Sequence, residues 1–211
     1  MGRARSRAAG TPRAVEAQRR ALCVEAARVM AEEGVLDYQA AKRKAGERLN
    51  LSPGGWLPSN REVDDALGDY LATFRPRQTA EGLRLRLRLA REAMAALAEF
   101  APRAVGAWVR GRVTPHTPVE LHLFADSFEE VNLHLMDRGI RARVGEKRLR
   151  YDRGRTAQQP CCRFEVEGVE MELVVFNRRG ERQAPLCPVS GQPMARWYPH
   201  QLAAAAGLAE G

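Results

Sequence analysis

"GAWVRGRVTPHTPVELHLF", Gly106–Phe124, is the stretch that decides how this chain is read. It opens on a glycine, passes through a basic turn at Arg110-Gly111-Arg112, and enters "VELHLF", where polar and apolar residues alternate. Alternation with a period of two marks a half-buried strand. Glu120 and His122 then share one face and Leu121 and Leu123 the other. Pro118 falls on the face of Glu120, and its side chain has no ligand atom to offer.

Working outward, "DSFEEVNLHLMDRG" reads as a helix, with Asp126 and Glu129 at capping-box spacing and Gly139 at its end. "IRARV", "KRLRYD", "CCRFEVEG" and "VEMELVVF" follow as strands, the last two joined at Gly168 as a hairpin. Beyond Asn177 the chain carries Pro185, Pro188, Pro193 and Pro199 and reads as loop, with a short closing helix in "HQLAAAAGLAE". Upstream, "RAVGAWV" is a strand. Before it, "LRLRLRLAREAMAALAEF" alternates Leu with Arg84, Arg86 and Arg88 as a strand would, but its Ala/Glu/Met-rich continuation argues helix. The three arginines are expected on a solvated face.

The first 75 residues look different. Residues 1–12 read as a disordered basic tail. Residues 13–75 read as a helical domain with one helix stopped at Gly34, a second over "LDYQAAKRKAGERLN", a loop at Pro53-Gly54-Gly55, and a third headed by Ser59 and Glu62 at capping-box spacing. The expected organisation is therefore α+β: a helical domain at 13–75, a mixed sheet with flanking helices at 76–178, and a Pro-rich extension at 179–211.

The chain has 211 residues, a net charge of +8 and a pI near 9.9. Its 34 basic residues include only three lysines, Lys42, Lys44 and Lys147. Residues 1–50 hold 11 basic and 6 acidic side chains, and "KRK" at Lys42, Arg43 and Lys44 is the candidate nucleic-acid contact. No apolar run approaches the ~20 residues of a membrane span, and no secretory signal is present, so a cytoplasmic location is expected. Cys23, Cys161, Cys162 and Cys187 have no zinc spacing and read as reduced, buried thiols. Walker A, Gly-x-Gly-x-x-Gly, Gly-x-Ser-x-Gly and His-Glu-x-x-His patterns are all missing.

With these elements in order, residues 80–178 resemble the nucleotidyltransferase superfamily, the DNA polymerase β-like fold, in a degenerate form. The family signature is Gly-Ser, a spacer, Asp-x-Asp on a strand, and a third carboxylate on a later strand. Gly106 fits the glycine and Arg110-Gly111 the turn; Ala107 stands in place of the Ser, and Pro118 in place of the first Asp. The resemblance implies nucleotide binding at Gly106, Ala107, Arg110 and Gly111. It implies Mg²⁺ held by Glu120 and Glu172, with Glu170 the lesser choice for the third carboxylate. His122, on the face of Glu120, is a candidate metal ligand or acid/base group. With Pro118 unable to ligate, the metal site is expected to be impaired, leaving a non-catalytic binder of nucleotide or RNA that acts through protein partners. Two readings stay open beside it: an active Mg²⁺-dependent transferase using Glu120 and Glu172, and a protein-interaction scaffold.

Overall fold

The structure, a computed structural model, describes residues 11–51, 57–202 and 204. The expected tail lies almost wholly outside these residues, as do the Pro53-Gly54-Gly55 loop and the end of the expected closing helix. The chain forms two compact units, Met1–Tyr70 and Leu71–Gly211. The division falls inside a helix, a few residues before the expected boundary at 75/76, and the Pro-rich extension belongs to the second unit.

The first unit is helical. Helix α1 (Pro12–Glu33) begins with proline in its first turn and ends at Gly34, whose φ of 70° is the left-handed cap that glycine adopts without a Cβ penalty. Helix α2 (Tyr38–Arg48) is capped by Asp37, which accepts from the Ala40 amide at 2.7 Å. Helix α3 (Asn60–Phe74) starts with the expected capping box: the Ser59 amide donates to Glu62 Oε2 at 2.8 Å, and the Glu62 amide donates to Ser59 Oγ at 3.2 Å. Leu22, Ala26, Val29, Met30, Ala41, Ala45, Val63 and Leu67 are buried.

The second unit carries a five-stranded mixed sheet with flanking helices. Helix α4 (Pro76–Ala96) contains the ambiguous Leu/Arg run, and helix is the state adopted. Strands β1 (Arg103–Val105), β2 (Val119–Ala125), β3 (Arg143–Arg150), β4 (Thr156–Val166) and β5 (Val169–Asn177) lie in the order β1-β2-β5-β4-β3. Only β2 and β5 are parallel neighbours; the other pairs are antiparallel. The chain passes from β2 to its parallel neighbour β5 through helix α5 (Phe128–Asp137) and the antiparallel pair β3–β4.

Four local readings need adjustment. β1 stops at Val105 because Gly106 takes a φ of 101°. "IRARV" and "KRLRYD" merge into the single strand β3, which runs through Gly145. The cap of α5 is Ser127, accepting from the Glu130 amide at 3.3 Å, while Asp126 pairs with Arg178 at 2.7 Å. The extension is more than loop: Trp197 exchanges backbone hydrogen bonds with Ala104 at 2.8 and 2.9 Å, beyond β1.

Strand periodicity divides the sheet into two faces. Val119, Leu121, Leu123 and Ala125 of β2 join Met171, Leu173 and Val175 of β5 against Leu87, Ala90 and Met94 of α4 and Val131 and Leu135 of α5. Each fully buried leucine here contributes about 2 kcal/mol of transfer free energy. The opposite face is apolar only at one end, where Phe124, Leu149, Tyr151, Cys161, Val174 and Phe176 cluster. Its other end is charged. All four cysteines are free and buried, and no helix among the described residues is long and apolar enough to cross a membrane.

Candidate functional site

The charged end of that face is built by register. Parallel pairing sets Glu120 beside Glu172, and antiparallel pairing sets Arg163 beside Glu172. Lys147 lies on β3 opposite Gln159, and its side chain extends across the sheet to both carboxylates. Its Nζ donates to Glu120 Oε2 at 2.6 Å and also to Glu172 Oε2. Arg163 completes the group: Nε donates to Glu172 Oε1 at 2.8 Å, and Nη2 lies 2.6 Å from the same oxygen.

Two carboxylates and two cations face each other here in balance. Burial pushes the Glu172 carboxyl up, but Lys147 and Arg163 outweigh it and hold the group below the usual carboxylate range. Burial alone would lower the Lys147 ammonium; Glu120 and Glu172 override that and raise it above its ordinary value. Glu172, Lys147 and Arg163 are therefore charged at neutral pH.

The signature turn packs directly on this cluster. A Cβ at Gly106 would sit 2.5 Å from Glu120 Oε1, so only glycine allows the backbone so close to that carboxylate. Ala107 begins a short 3₁₀ turn over Trp108–Arg110, and its carbonyl accepts from the Arg110 and Arg112 amides at 3.0 and 3.1 Å. Arg110 Nη1 donates back to the Gly106 carbonyl at 3.1 Å, and Gly111, at a φ of 74°, ends the turn. Trp108, wholly buried, pegs the turn into the core.

His122 lies one step along β2 from Glu120 but is buried against Phe176, with ring centroids 4.6 Å apart. Its Nδ1 accepts from Arg196 Nε at 3.1 Å, which places the ring proton on Nε2. Burial first, then the charges of Arg196 and Lys147, push its pKa well below the ordinary histidine value. A neutral, buried imidazole with one nitrogen already engaged does not serve the acid/base role expected of it.

Glu170 is also elsewhere occupied, accepting from Arg143 Nη2 at 3.0 Å. In the helical unit the "KRK" triplet does not form a basic patch. Lys42 is buried, donating to the Pro58 carbonyl at 3.0 Å and to Asn60 Oδ1 at 2.9 Å, and burial lowers its pKa. Lys44 pairs with Glu33 at 2.6 Å, so Arg43 alone faces solvent fully.

Three residues matter here in ways that the sequence pattern does not assign. Lys147 and Arg163 neutralise the carboxylates. Arg86 of α4, expected on a solvated face, is instead 3 % exposed. It donates to the carbonyls of Thr117 at 2.8 Å, Thr114 and Gly82 at 3.0 Å, and Pro115 at 3.3 Å. This fixes the loop that delivers the chain from the turn into β2.

Mg²⁺ demands near-octahedral oxygen ligation at about 2.1 Å. Between Glu120 and Glu172 the structure instead places an ammonium, the Pro118 side chain has no oxygen, and Glu170 belongs to Arg143. Among the described residues no group of three His, Cys, Asp or Glu side chains is arranged to hold a metal. The donor set as it stands does not fit the ion. Comparison of the chain with family models, curated proteins and solved structures returned no match.

Proposed function

We propose that the second unit is a nucleotidyltransferase-like domain whose cation has been replaced from within, and that it binds a nucleotide or RNA without transferring a nucleotidyl group. One observation carries this reading: the Lys147 ammonium lies between Glu120 and Glu172, where the signature would put the metal. A lysine supplies one positive charge and N–H donors, so together with Arg163 it neutralises the pair, but it offers no coordination positions on which to hold a phosphoryl oxygen and an attacking one. The turn from Gly106 to Gly111, with Arg110 and Arg112, is the part suited to phosphate.

The test is a fluorescent nucleoside triphosphate titrated onto the protein in EDTA and again in Mg²⁺, beside a turnover assay with Mg²⁺ or Mn²⁺ and a panel of RNA and protein acceptors. The expected result is binding of equal strength in both buffers and no consumption of triphosphate. Turnover by the wild-type chain that disappears in Glu120→Gln would overturn the reading, as would binding that requires the divalent ion.

A further inference from the structure

The positive charge of the molecule is not spread evenly over its surface. Residues 11–70 carry nine basic and ten acidic side chains, so the described part of the helical unit has no basic excess. In the sheet unit, residues 138–155 hold eight basic side chains against two acidic ones, and the remainder holds 14 of each. The whole excess of that unit sits on one segment. The segment is β3 and its flanks, and β3 is an edge strand.

That edge is open. Along β3 the one backbone bond to a segment outside the ladder, among the described residues, is the Leu186 amide to the Arg150 carbonyl at 2.7 Å. Arg141, Arg143, Arg148 and Arg150 are exposed. Arg143 pairs with Glu170, yet its side chain is 80 % exposed; Arg141, Arg148 and Arg150 have no carboxylate partner among the described residues. Across the ladder Arg148 and Arg150 stand opposite Gln158 and Thr156, so no acid sits beside them on β4.

We infer that this edge is a nucleic-acid surface, its arginines and outward amides engaging the phosphates of a single strand. Planar guanidinium groups match phosphate with paired donors. Eight strand residues span roughly 27 Å, about eight phosphates of a stacked strand. An acidic peptide added as a further strand would need apolar pockets for alternate side chains, and the edge offers Val144 as its exposed large apolar residue. The inference rests on the RNA half of the proposed function and is independent of the nucleotide half.

The test uses the full chain and a fluorescein-labelled 15-nucleotide RNA of mixed sequence, followed by anisotropy across a salt series. The variant Arg141→Gln/Arg148→Gln/Arg150→Gln should lower the steepness of log K against log salt by about 2, at ~0.7 per phosphate contact, and weaken binding at least about tenfold at low salt. The control Arg43→Gln/Lys44→Gln should leave both unchanged. Ultraviolet crosslinking of 4-thiouridine RNA to the wild-type chain should mark residues 138–155, which covers the case of a triple variant that folds poorly. Absence of RNA binding at 50 mM salt, an unchanged slope in a folded triple variant, or crosslinks confined to other segments would each overturn the proposal; the edge charge would then serve only to keep strands of different molecules apart. Displacement of the RNA by polyglutamate as readily as by unlabelled RNA would overturn it too. None of these outcomes touches the triphosphate titration, so the two readings fail separately.

Discussion

Replacing Lys147 by methionine removes the cation and keeps most of the side-chain volume. Its partners are partly shielded: side-chain exposure is 26 % for Lys147, 16 % for Glu120 and 7 % for Glu172. At an effective dielectric near 20, two unit charges 4 Å apart interact by about 4 kcal/mol, and desolvation offsets much of that in the intact pair. Removing one partner exposes the desolvation cost of the other. Breaking a buried pair costs about 3–5 kcal/mol. Arg163 still serves Glu172, and the site is a quarter open, so the lower end applies: about 3 kcal/mol at pH 7.

The pH dependence separates this cause from simple loss of packing. In the wild type the depressed Glu172 contributes stability above its unfolded pKa and loses it as pH falls through the folded value. The raised Lys147 contributes below its unfolded pKa and loses it as pH rises through the folded one. Stability from the cluster is therefore flat between roughly pH 5 and 10. In Lys147→Met two carboxylates face each other, one takes up a proton above its unfolded pKa, and stability rises as pH falls from 7 to 5. Urea unfolding followed by fluorescence, with buried Trp108 as a reporter, should show the deficit shrinking by about 1 kcal/mol at pH 5. Adding Glu120→Gln to the variant should recover more than half of the loss at pH 7. A deficit under about 0.5 kcal/mol at pH 7, or one equal at both pH values, would refute the idea that Lys147 neutralises the pair.

Gly106→Ala should cost about 2 kcal/mol or more in the same urea assay, because it combines a positive φ with a Cβ placed 2.5 Å from Glu120 Oε1; pairing it with Glu120→Ala should relieve the contact but not the backbone strain. In the helical unit, hydrogen bonds from Arg19 and then Ser59 hold the Glu62 carboxyl down at about 2. Its contribution is present above the unfolded value near 4.3 and lost as pH falls toward 2, so Glu62→Gln, discounted for solvent screening, should cost about 1 kcal/mol at pH 7 and nothing measurable at pH 2.

Patterns carried by neighbouring residues were legible in the sequence. β2 and β5 follow from their runs, Ser59 and Glu62 from their spacing, and the hairpin at Gly168 from a glycine between two strands, where φ is 75°. The pairing of Glu120 with Glu172 followed from placing both on adjacent strands. The partners of the carboxylates did not, because Lys147 and Arg163 reach them through a register that no local pattern encodes. One signal was present: in a chain whose cations are otherwise arginine, Lys147 is one of three lysines. A compact ammonium fits between two carboxylates where a planar fork does not. Buried Lys42, wedged between a carbonyl and an amide oxygen, makes the same point. Arg86 was misread because the alternation of Leu and Arg treats its three arginines alike, whereas helical geometry sends one of them inward.

In the strand order, β3 is two strands from β5 and three from β2, roughly 10 and 14 Å at the usual spacing. A single lysine side chain nevertheless ties that edge strand to both β5 and β2. Edge strands ordinarily fray first, and their amides exchange with solvent through local openings that leave the rest of a sheet intact. Here an opening that carries Lys147 outward strands two glutamates together in the interior, so fraying at the periphery is charged with the electrostatics of the centre. The β3 amides that pair with β4 around Lys147 should then exchange as slowly as those of β4, and in Lys147→Met they should uncouple and exchange faster while β2 and β5 stay protected. The edge is held by what its side chain leaves behind.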